Sequence, residues 1–492
     1  MQIIYKVFAL ALLLGVLSPL NSQNQEPAPC GTRIGVSPWL RDFQNRIHSS
    51  SRTDDVLYLP LQVHMVGTDQ GTGYMSTKAV FQAFCTLNED FAQANIQFFL
   101  ANPINYIDNS GYYQHEFDGG YDMMAQNNFP NVINCYIVED PAGNCGYFFP
   151  GVDGIALAKG CTGPNDHTWA HEVGHFLSLP HPFYGWEGET HNYSSPAPLS
   201  WEGWQVEKVD GSNCTNAGDG FCDTAPDYLN YRWNCNADGF SSTVQTDPNG
   251  ATFVSDGTLY MSYSNAACKS TFSDDQIAAM RANIEEVRTN LITLPPAVED
   301  ITISAQDEIN LLVPASGVLA EGDPVTLTWE AIPGATHYIV QVNPFNFFSI
   351  IFEEQIVEGP SIQISGLQPN RTHYWRIKPF NWYNTCSDFT SSSSFETGIT
   401  TATQERLPGE SFQISPNPSS TGQVSLRIQT TTNTLANWQL IDSRGSLQQT
   451  GSFQTSTGTQ EQVLDISGLP AGLYFIQLQL DGRQSVHKLM VN

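Results

Sequence analysis

The sequence predicts an α+β domain with a mixed sheet and one prominent helix, followed by two all-β sandwich domains. Up to about residue 290, continuous apolar runs typical of buried strands alternate with segments whose apolar residues recur at helical spacing. Beyond that point, short alternating runs are separated by turn residues, as in β-sandwiches. At 492 residues the chain is also too long for one compact domain.

Composition limits the class of protein. Hydrophobic residues make up 40% of the chain and aromatic residues 11%, which is enough for packed cores and argues against a disordered chain. The formal net charge is −29, with only 20 lysines and arginines. This balance argues against nucleic acid and anionic membrane surfaces as partners, and it favours a soluble, well-hydrated protein.

The N-terminus predicts a secretory signal peptide at residues 1–22. Lys6 gives a basic start, an apolar stretch runs from Val7 to Leu17, and a small-residue exit follows. The alternative is a buried N-terminal helix. Because no other stretch reaches the roughly eighteen apolar residues of a membrane span, we expect no transmembrane segment in the mature chain.

The first folded domain is predicted at residues 55–292. Its opening run, VLYLPLQVHMV, is typical of a buried strand. Ser76 and Thr77 can cap a helix through KAVFQAFCTLNEDFAQANI, and IQFFLA and NVINCYIVE indicate two more strands.

A later helix of this domain carries a histidine pattern that predicts a zinc site. The helix runs through HTWAHEVGHFL, with Asn165 or Asp166 as its cap, and it must end before Pro180. His171 and His175 are four residues apart and share one face, so both can bind the same cation. Imidazole nitrogens are ligands that suit zinc.

Catalysis by zinc needs a third protein ligand and an acid–base group. His181 follows just past the helix end, where a turn can bring it back to the metal. Glu172 lies at the edge of the same face, so it can take a proton from a zinc-activated water without being a ligand. His167 is about 12 Å along the helix from His175, too far to share a metal, and His191 is a weaker rival ligand. The alternative is a set of surface histidines on an amphipathic helix.

The stretch HEVGHFLSLPH resembles the metzincin pattern HExxHxxGxxH, and its wording is similar to that of the pappalysin (cytophagalysin) family. LNEDF at residues 87–91 resembles the family's helix in the N-terminal subdomain, and LYMSYSNAACKSTFSDDQIAAM resembles its Met-turn segment. The resemblance implies that Met261 lies beneath the zinc and that Tyr263 lies beside it, where a phenol can stabilise a developing oxyanion. Taken alone, Met261 and Tyr263 are more simply core residues.

Ser178 departs from the pattern, which has glycine at this position. The chain must bend here so that His181 can reach the metal, and we expect a left-handed backbone that costs serine roughly 1–2 kcal/mol. Zinc binding, at about 10 kcal/mol or more, can absorb that cost. The serine hydroxyl could also bond to the backbone of the turn.

Cysteines support export to an oxidising compartment. Seven of the ten cysteines crowd around the histidine pattern, where disulfides would hold long loops in place. Spacing alone leaves their pairing open. The pappalysin resemblance implies two bridges, Cys214 to Cys235 and Cys222 to Cys268.

The segment CTNAGDGFCDTAPD resembles the pappalysin GDGxxDTP loop, with Ala225 as an extra residue before the proline. Asp219 and Asp223, together with turn carbonyls, are candidates for a calcium site, since calcium takes several oxygen ligands. The alternative is an ordinary Asp-Gly turn.

Residues 23–54 are predicted to be a pro-segment. Cys30 lies there in PAPCGT, which resembles the Cys-Gly-Thr of pappalysin zymogens, and the resemblance implies that its thiolate occupies the open zinc position. The alternative is a disulfide, with Cys85 as the partner.

Two β-domains are predicted at residues 298–398 and 411–492. VTLTWEAIPGATHYIVQV and LQPNRTHYWRIKPFN resemble a fibronectin type III domain, which implies Trp329 and Tyr374 as core aromatics. SPNPS, GLPAGLYFIQLQ and the terminal HKLMVN resemble the C-terminal sorting domain of type IX secretion in Gram-negative bacteria. That resemblance implies the type IX machinery as a partner, export across the outer membrane, and release or surface attachment. The alternative for both is a generic β-sandwich spacer.

Together these features predict a secreted zinc endopeptidase that acts on protein or peptide substrates. The main alternative is a surface adhesin or binding protein that uses a metzincin-like scaffold. Glu172 argues against the adhesin, because a purely structural zinc site does not need that base. A narrow processing enzyme, as opposed to a degradative one, is a further alternative.

Overall fold

The computed structural model describes most of the chain from residue 26 onward. The described residues are 26–32, 35–46, 55–186, 189–201, 203–293, 303, 310–320, 323–398, 411–430, 433, 435–442, 446–480 and 483–492. The predicted signal peptide, residues 1–22, lies outside them. Within the described ranges, every helix is too short or too polar to span a membrane.

A mixed sheet forms the centre of the first unit. Strands β2, β1, β5 and β8 lie side by side and run parallel, β3 pairs with the C-terminal half of β1, and β7 is antiparallel to β8 at the edge. The strands of this unit are β1 (Leu57–Gly67), β2 (Ile96–Leu100), β3 (Asn105–Asp108), β4 (Gln114–His115), β5 (Ile133–Val138), β6 (Asp140–Pro141), β7 (Gly146–Phe149), β8 (Gly154–Ala158), β9 (Ser200–Trp201), β10 (Trp204–Gln205), β11 (Gln245–Thr246) and β12 (Thr252–Phe253).

Six α-helices accompany the sheet among the described residues. They are α1 (Pro38–Gln44), α2 (Thr77–Phe91), α3 (Ser110–Tyr113), α4 (Phe117–Asn127), α5 (Thr168–Phe176) and α6 (Asp274–Glu286). The Ser76 hydroxyl caps α2 by accepting from the amide of Ala79 at 3.3 Å. Aromatic contacts join the helices into one core with the sheet, as between Phe84 of α2 and Trp169 of α5, whose ring centroids are 5.8 Å apart.

The start of α5 differs from the prediction. Neither Asn165 nor Asp166 is the N-cap, because the helix begins at Thr168 and His167 occupies the capping position. Asp166 instead accepts from the amide of Thr168 at 2.9 Å, which holds the first turn from one residue further away. The His167 ring points out of the helix, where Nδ1 meets the buried carboxylate of Asp90 at 2.8 Å. The helix ends before Pro180, as predicted.

The second unit is a β-sandwich of two facing sheets, in the orders β13-β15-β18 and β14-β20-β19-β16-β17. Its strands are β13 (Leu311–Val313), β14 (Val318–Ala320), β15 (Val325–Trp329), β16 (His337–Asn343), β17 (Glu353–Glu358), β18 (Ser361–Ile364), β19 (Thr372–Phe380) and β20 (Ser393–Thr397). Trp329 is a core residue, as expected, but Tyr374 is not. Side chains alternate along β19, and it is Trp375 that faces the core and is fully buried.

The third unit is also built from two β-sheets, in the orders β21-β22-β25 and β24-β23-β26-β27. Its strands are β21 (Ser411–Ser415), β22 (Gln423–Thr430), β23 (Leu435–Asp442), β24 (Leu447–Gln454), β25 (Gly458–Asp465), β26 (Gly472–Leu480) and β27 (Arg483–Val491). The predicted order, a mixed sheet with helices followed by two β units, is confirmed.

The β-sandwich is joined covalently to the first unit. Cys85 of α2 forms a disulfide with Cys386, so the alternative that paired Cys85 with Cys30 is wrong. The rings of Phe81 and Phe380 pack edge to face at 4.8 Å beside this bridge. Helix α2 therefore contacts both the sheet of the first unit and the second unit.

Candidate metal centre and the segment that covers it

Helix α5 and the turn after it bring three histidine rings to one point. The Nε2 atoms of His171 and His175 are 3.1 Å apart, those of His175 and His181 are 3.0 Å apart, and those of His171 and His181 are 3.3 Å apart. All three rings are at least 98% buried. The sequence-predicted ligands therefore meet, whereas His167 binds Asp90 and His191 lies at the surface against Trp186.

Backbone carbonyls fix the orientation of two of these rings. His171 Nδ1 donates to the carbonyl of Tyr260 at 2.8 Å, and His175 Nδ1 donates to the carbonyl of Leu179 at 2.7 Å. Each ring then presents an unprotonated Nε2 to the common point. Burial lowers the pKa of His171 and of His175 well below the usual value, which keeps both rings neutral.

The donor set fits a tetrahedral metal ion. Three nitrogens bound about 2.0–2.1 Å from one zinc lie about 3.3 Å apart, close to the observed spacing. Cys30 supplies a fourth atom, because its Sγ and the three ring nitrogens all lie within 4.8 Å of one another. Two neutral imidazoles with unprotonated Nε2 atoms, held this close to a third ring, are suited to a shared cation.

Ser178 has the left-handed backbone that the sequence predicts, with φ of 77°. Its amide donates to His175 O and the amide of Leu179 donates to Gly174 O, both at 2.9 Å, which closes the helix end. The sequence allowed a hydrogen bond between the hydroxyl and the backbone of the turn, but the hydroxyl does not form it. It accepts instead from Nδ2 of the buried Asn283 of α6 at 2.9 Å. The turn is thus supported from a different helix.

Met261 lies against helix α5, and Tyr263 lies beside His181. Met261 is fully buried against α5, and its sulfur lies in the space that a Cβ at Gly174 would take, so glycine here makes room for it. The Tyr263 ring lies 4.8 Å from that of His181, centroid to centroid. Its hydroxyl donates to the carbonyl of Cys30 at 3.2 Å.

Glu172 is fully buried beside the histidine rings. Its Oε2 accepts from the hydroxyl of Thr32 at 2.8 Å, and its Oε1 has no hydrogen-bond partner among the described residues. Burial raises the pKa of Glu172 to about 7. Gly146 of strand β7 makes room for this side chain, since a Cβ there would lie 2.9 Å from Glu172 Cγ.

Cys30 and Thr32 reach the site from the N-terminal residues 26–32, which lie within the predicted pro-segment. Cys30 is a free thiol, 9% exposed, and burial together with the nearby Glu172 raises its pKa well above the usual value. The amide of Thr32 donates to Cys30 Sγ at 3.2 Å. The sequence analysis pointed to Cys30, whereas the contact of Thr32 with Glu172 was missed.

Asp219 and Asp223 have different hydrogen-bond partners. The Asp223 carboxylate accepts from Ser273 Oγ and from the amide of Asp275, both at 2.8 Å, so it serves the N-terminus of α6. Asp219 is fully buried, and its Oδ2 has no hydrogen-bond partner in the described part of the chain. Burial raises its pKa to about 7. A second buried carboxylate, Glu207, lies nearby and was missed by the sequence analysis.

Disulfides near the site differ from the pairing that the resemblance implied. Cys214 bonds to Cys222 and Cys235 bonds to Cys268. The implied pairs, Cys214 with Cys235 and Cys222 with Cys268, are therefore wrong. A further bridge joins Cys145 to Cys161. The loop between Cys214 and Cys222 turns back on itself and brings their Cα atoms within 5.0 Å, a distance that a disulfide can span.

Comparison with known proteins identifies the class of the C-terminal unit. Residues 413–492 match the Secretion system C-terminal sorting domain, which covers the whole of the third unit apart from the start of β21. The chain is therefore exported by type IX secretion across the outer membrane and is secreted or held at the cell surface.

Part of the chain is similar to an extracellular metalloprotease. An extracellular metalloprotease of Pyricularia oryzae is 28% identical over 149 residues, which cover 26% of this chain and 52% of that protein. The chain thus spans about half the length of this relative. The match makes the chain a distant homologue of an extracellular metalloprotease.

Solved structures show only remote likeness. The crystal structure of dimeric latent PorU from Porphyromonas gingivalis is 14% identical with a TM-score of 0.15, covering 40% of this chain and 21% of that one. The chicken CNTN1 FN1–FN3 domains are 12% identical with a TM-score of 0.14, covering 38% and 66%. At these scores neither likeness carries an argument.

Proposed function

We propose that this chain is a secreted zinc endopeptidase of the metzincin type, similar to pappalysins, that hydrolyses protein or peptide substrates. One observation carries the proposal. Three buried imidazole nitrogens converge within 3.3 Å, and a buried carboxylate with an unpaired oxygen lies beside them on the same helix. The distant metalloprotease homologue and the secretion sorting domain support it.

The chemistry follows from the donor set. A zinc ion held by His171, His175 and His181 supplies a Lewis acid for the attacking water and the peptide carbonyl. Glu172 accepts a proton from the water and returns it to the leaving amine. Its raised pKa of about 7 suits a group that must both take up and release a proton near neutral pH.

Tyr263 stabilises charge in this proposal. Its ring lies against that of His181, and its hydroxyl donates to a backbone carbonyl, that of Cys30. Once the pro-segment leaves, the same hydroxyl can donate to the oxygen of a substrate carbonyl as negative charge develops there. The pro-segment carbonyl thus stands in for the group that Tyr263 would contact during the reaction.

Cys30 keeps the zymogen inactive in this proposal. Its sulfur lies with the three histidine nitrogens, and a thiolate there is a strong fourth ligand for zinc. It thereby excludes the water that hydrolysis requires. The buried thiol keeps its proton in the absence of metal, because burial and Glu172 raise its pKa.

Asp219 is the better supported of the two calcium candidates. Its unpaired Oδ2 and the nearby carboxylate of Glu207 place two buried acidic groups together, and within the described residues no basic side chain forms an ion pair with either. A calcium ion would neutralise that arrangement. Calcium titration should therefore raise the thermal stability of wild type and leave that of Asp219→Asn unchanged, and an equal rise in both would exclude this site.

The proposed function is tested by Glu172→Gln in the full chain after release of the pro-segment. This variant should retain zinc and lose casein cleavage by at least about a hundredfold, because the proton acceptor is gone. Glu89→Gln, at an exposed position of α2, is the matched control and should cleave at the wild-type rate. Cleavage by Glu172→Gln at the wild-type rate would contradict the proposal, and a zinc-loaded wild type without peptidase activity would favour the adhesin.

A further inference from the structure

The pro-segment pairs through its backbone with the loop that leads into β7. The amide of Ala28 donates to Gly143 O at 2.9 Å, and the amide of Cys145 donates to Ala28 O at 2.7 Å. The amide of Gly31 then donates to Gly146 O, at the start of β7, at 2.8 Å. Residues 28–31 therefore follow this loop to the first residue of β7.

Glycine at position 31 lets the pro-segment lie close to Asn144. A Cβ at Gly31 would lie 2.7 Å from Asn144 Nδ2, tighter than normal contact. The close approach places the next residue, Thr32, between β7 and the catalytic helix, where it is 5% exposed. Its position is therefore fixed by main-chain pairing on one side and by lack of space on the other.

The Thr32 hydroxyl uses both of its hydrogen-bonding functions at this place. It donates to Glu172 Oε2 at 2.8 Å and accepts from the amide of Phe148 at 2.7 Å. A hydroxyl has one proton to donate, so this proton is committed to the carboxylate. Thr32 thus bridges the proposed general base and the edge strand.

Three groups of the pro-segment thus contact three parts of the site: the histidine cluster, Tyr263 and Glu172. Cys30 Sγ meets the histidine cluster, Cys30 O accepts from Tyr263, and the Thr32 hydroxyl binds Glu172. The last of these contacts involves no metal ligand atom. It would persist in a protein from which the metal had been removed.

We propose that Thr32 is a second latch of the zymogen, which holds the general base through its own hydrogen bond and without the metal. This inference rests on the proposed function only for the role of Glu172. While Thr32 is bound, one oxygen of Glu172 is held by the pro-segment, and the Phe148 amide cannot bind another chain. Loss of the cysteine alone therefore opens the metal position but leaves the pro-segment attached to Glu172.

The first test measures the latch without catalysis. In full-length chain stripped of metal by chelator, hydrogen exchange at residues 28–32 reports how often the pro-segment leaves. Thr32→Val keeps the shape and removes the hydroxyl, and it should raise exchange about tenfold or more, because Glu172 and the Phe148 amide both lose a buried hydrogen-bond partner. Thr32→Ser keeps the hydroxyl and is the matched control, with exchange close to wild type.

The second test measures casein cleavage by the uncleaved zymogens. Cys30→Ser should be partly active, and Cys30→Ser combined with Thr32→Val should be about tenfold more active than Cys30→Ser alone. Equal activity in the two, or equal exchange in Thr32→Val and wild type, would overturn the latch. If exchange responds as expected but no form of the protein cleaves casein, the latch stands and the proposed peptidase function fails.

Discussion

The turn that carries His181 offers the sharpest test of how this site is built. Ser178 has φ of 77°, a conformation that costs a residue with a Cβ roughly 1–2 kcal/mol. Its hydroxyl accepts from the buried Asn283, a bond worth about 1 kcal/mol. The two contributions nearly cancel, so a single substitution to glycine would lose the bond and relieve the strain together.

Two substitutions at the same position separate these contributions. Ser178→Ala keeps the Cβ and its strain, removes the hydroxyl and leaves the Asn283 amide unpaired, so unfolding free energy should fall by about 1–3 kcal/mol. Ser178→Gly loses the same bond but relieves the strain, and it should be about 1 kcal/mol more stable than Ser178→Ala.

The assay is urea denaturation of both variants and wild type, with zinc and with chelator. Zinc should bind more weakly to Ser178→Ala than to Ser178→Gly, because the turn sets where His181 and the Leu179 carbonyl lie. Equal stability of the alanine and glycine variants would refute the strained turn. An alanine variant as stable as wild type would refute the supporting bond from Asn283.

Two further predictions concern stability away from the metal centre. Burial raises the pKa of Asp227 to about 7, against 3.8 for an ordinary aspartate, so the folded state holds this proton more tightly than the unfolded state. Stability contributed by the protonated group should therefore be lost as pH rises from about 4 to about 7, and thermal denaturation of Asp227→Asn should show a shallower pH dependence; an unchanged slope would contradict the assignment. The Cys85–Cys386 bridge closes a loop across a sequence separation of 301 residues, so Cys85→Ser and Cys386→Ser should each lower unfolding free energy by about 2–5 kcal/mol. The double variant should have the same unfolding free energy as each single variant. If only one of the two single variants were destabilised, that result would show that the bridge does not form.

Sequence spacing located the part of the site that is local in the chain. His171 and His175 are one helical turn apart, so their shared face follows from the period of the helix. His181 required only a turn, and the proline after Leu179 ensured that the helix ended in time. The left-handed backbone at Ser178 followed from the same need to reverse the chain.

Contacts between residues distant in the chain were beyond that reasoning. Thr32 and Glu172 are 140 residues apart, and Ser178 and Asn283 are 105 apart, so no periodicity connects them. The Thr of Cys-Gly-Thr was visible in the sequence, but its partner depends on where the pro-segment crosses β7. The predicted disulfide pairing was wrong for a similar reason, because the paths of the loops, and not the spacing of the cysteines, decide which cysteines meet.

The choice of core residues in the β-sandwich shows a smaller limit. Tyr374 and Trp375 are adjacent on β19, and one residue of register decides which faces inward. The sequence fits both choices, since each is a large aromatic in an alternating run. Only the pairing of β19 with β16 and β20 places Trp375 in the core.

Metal content is the most direct measurement of the central claim, that three histidines form a catalytic zinc site. Elemental analysis of the purified full chain should find about one zinc per wild-type molecule, and His175→Ala should lose it, because the variant removes one of the three converging nitrogen ligands. His167→Ala, whose ring binds Asp90 instead, is the matched control and should retain its zinc. A wild-type chain without zinc, or a His175→Ala variant that holds zinc as tightly as wild type, would contradict the account.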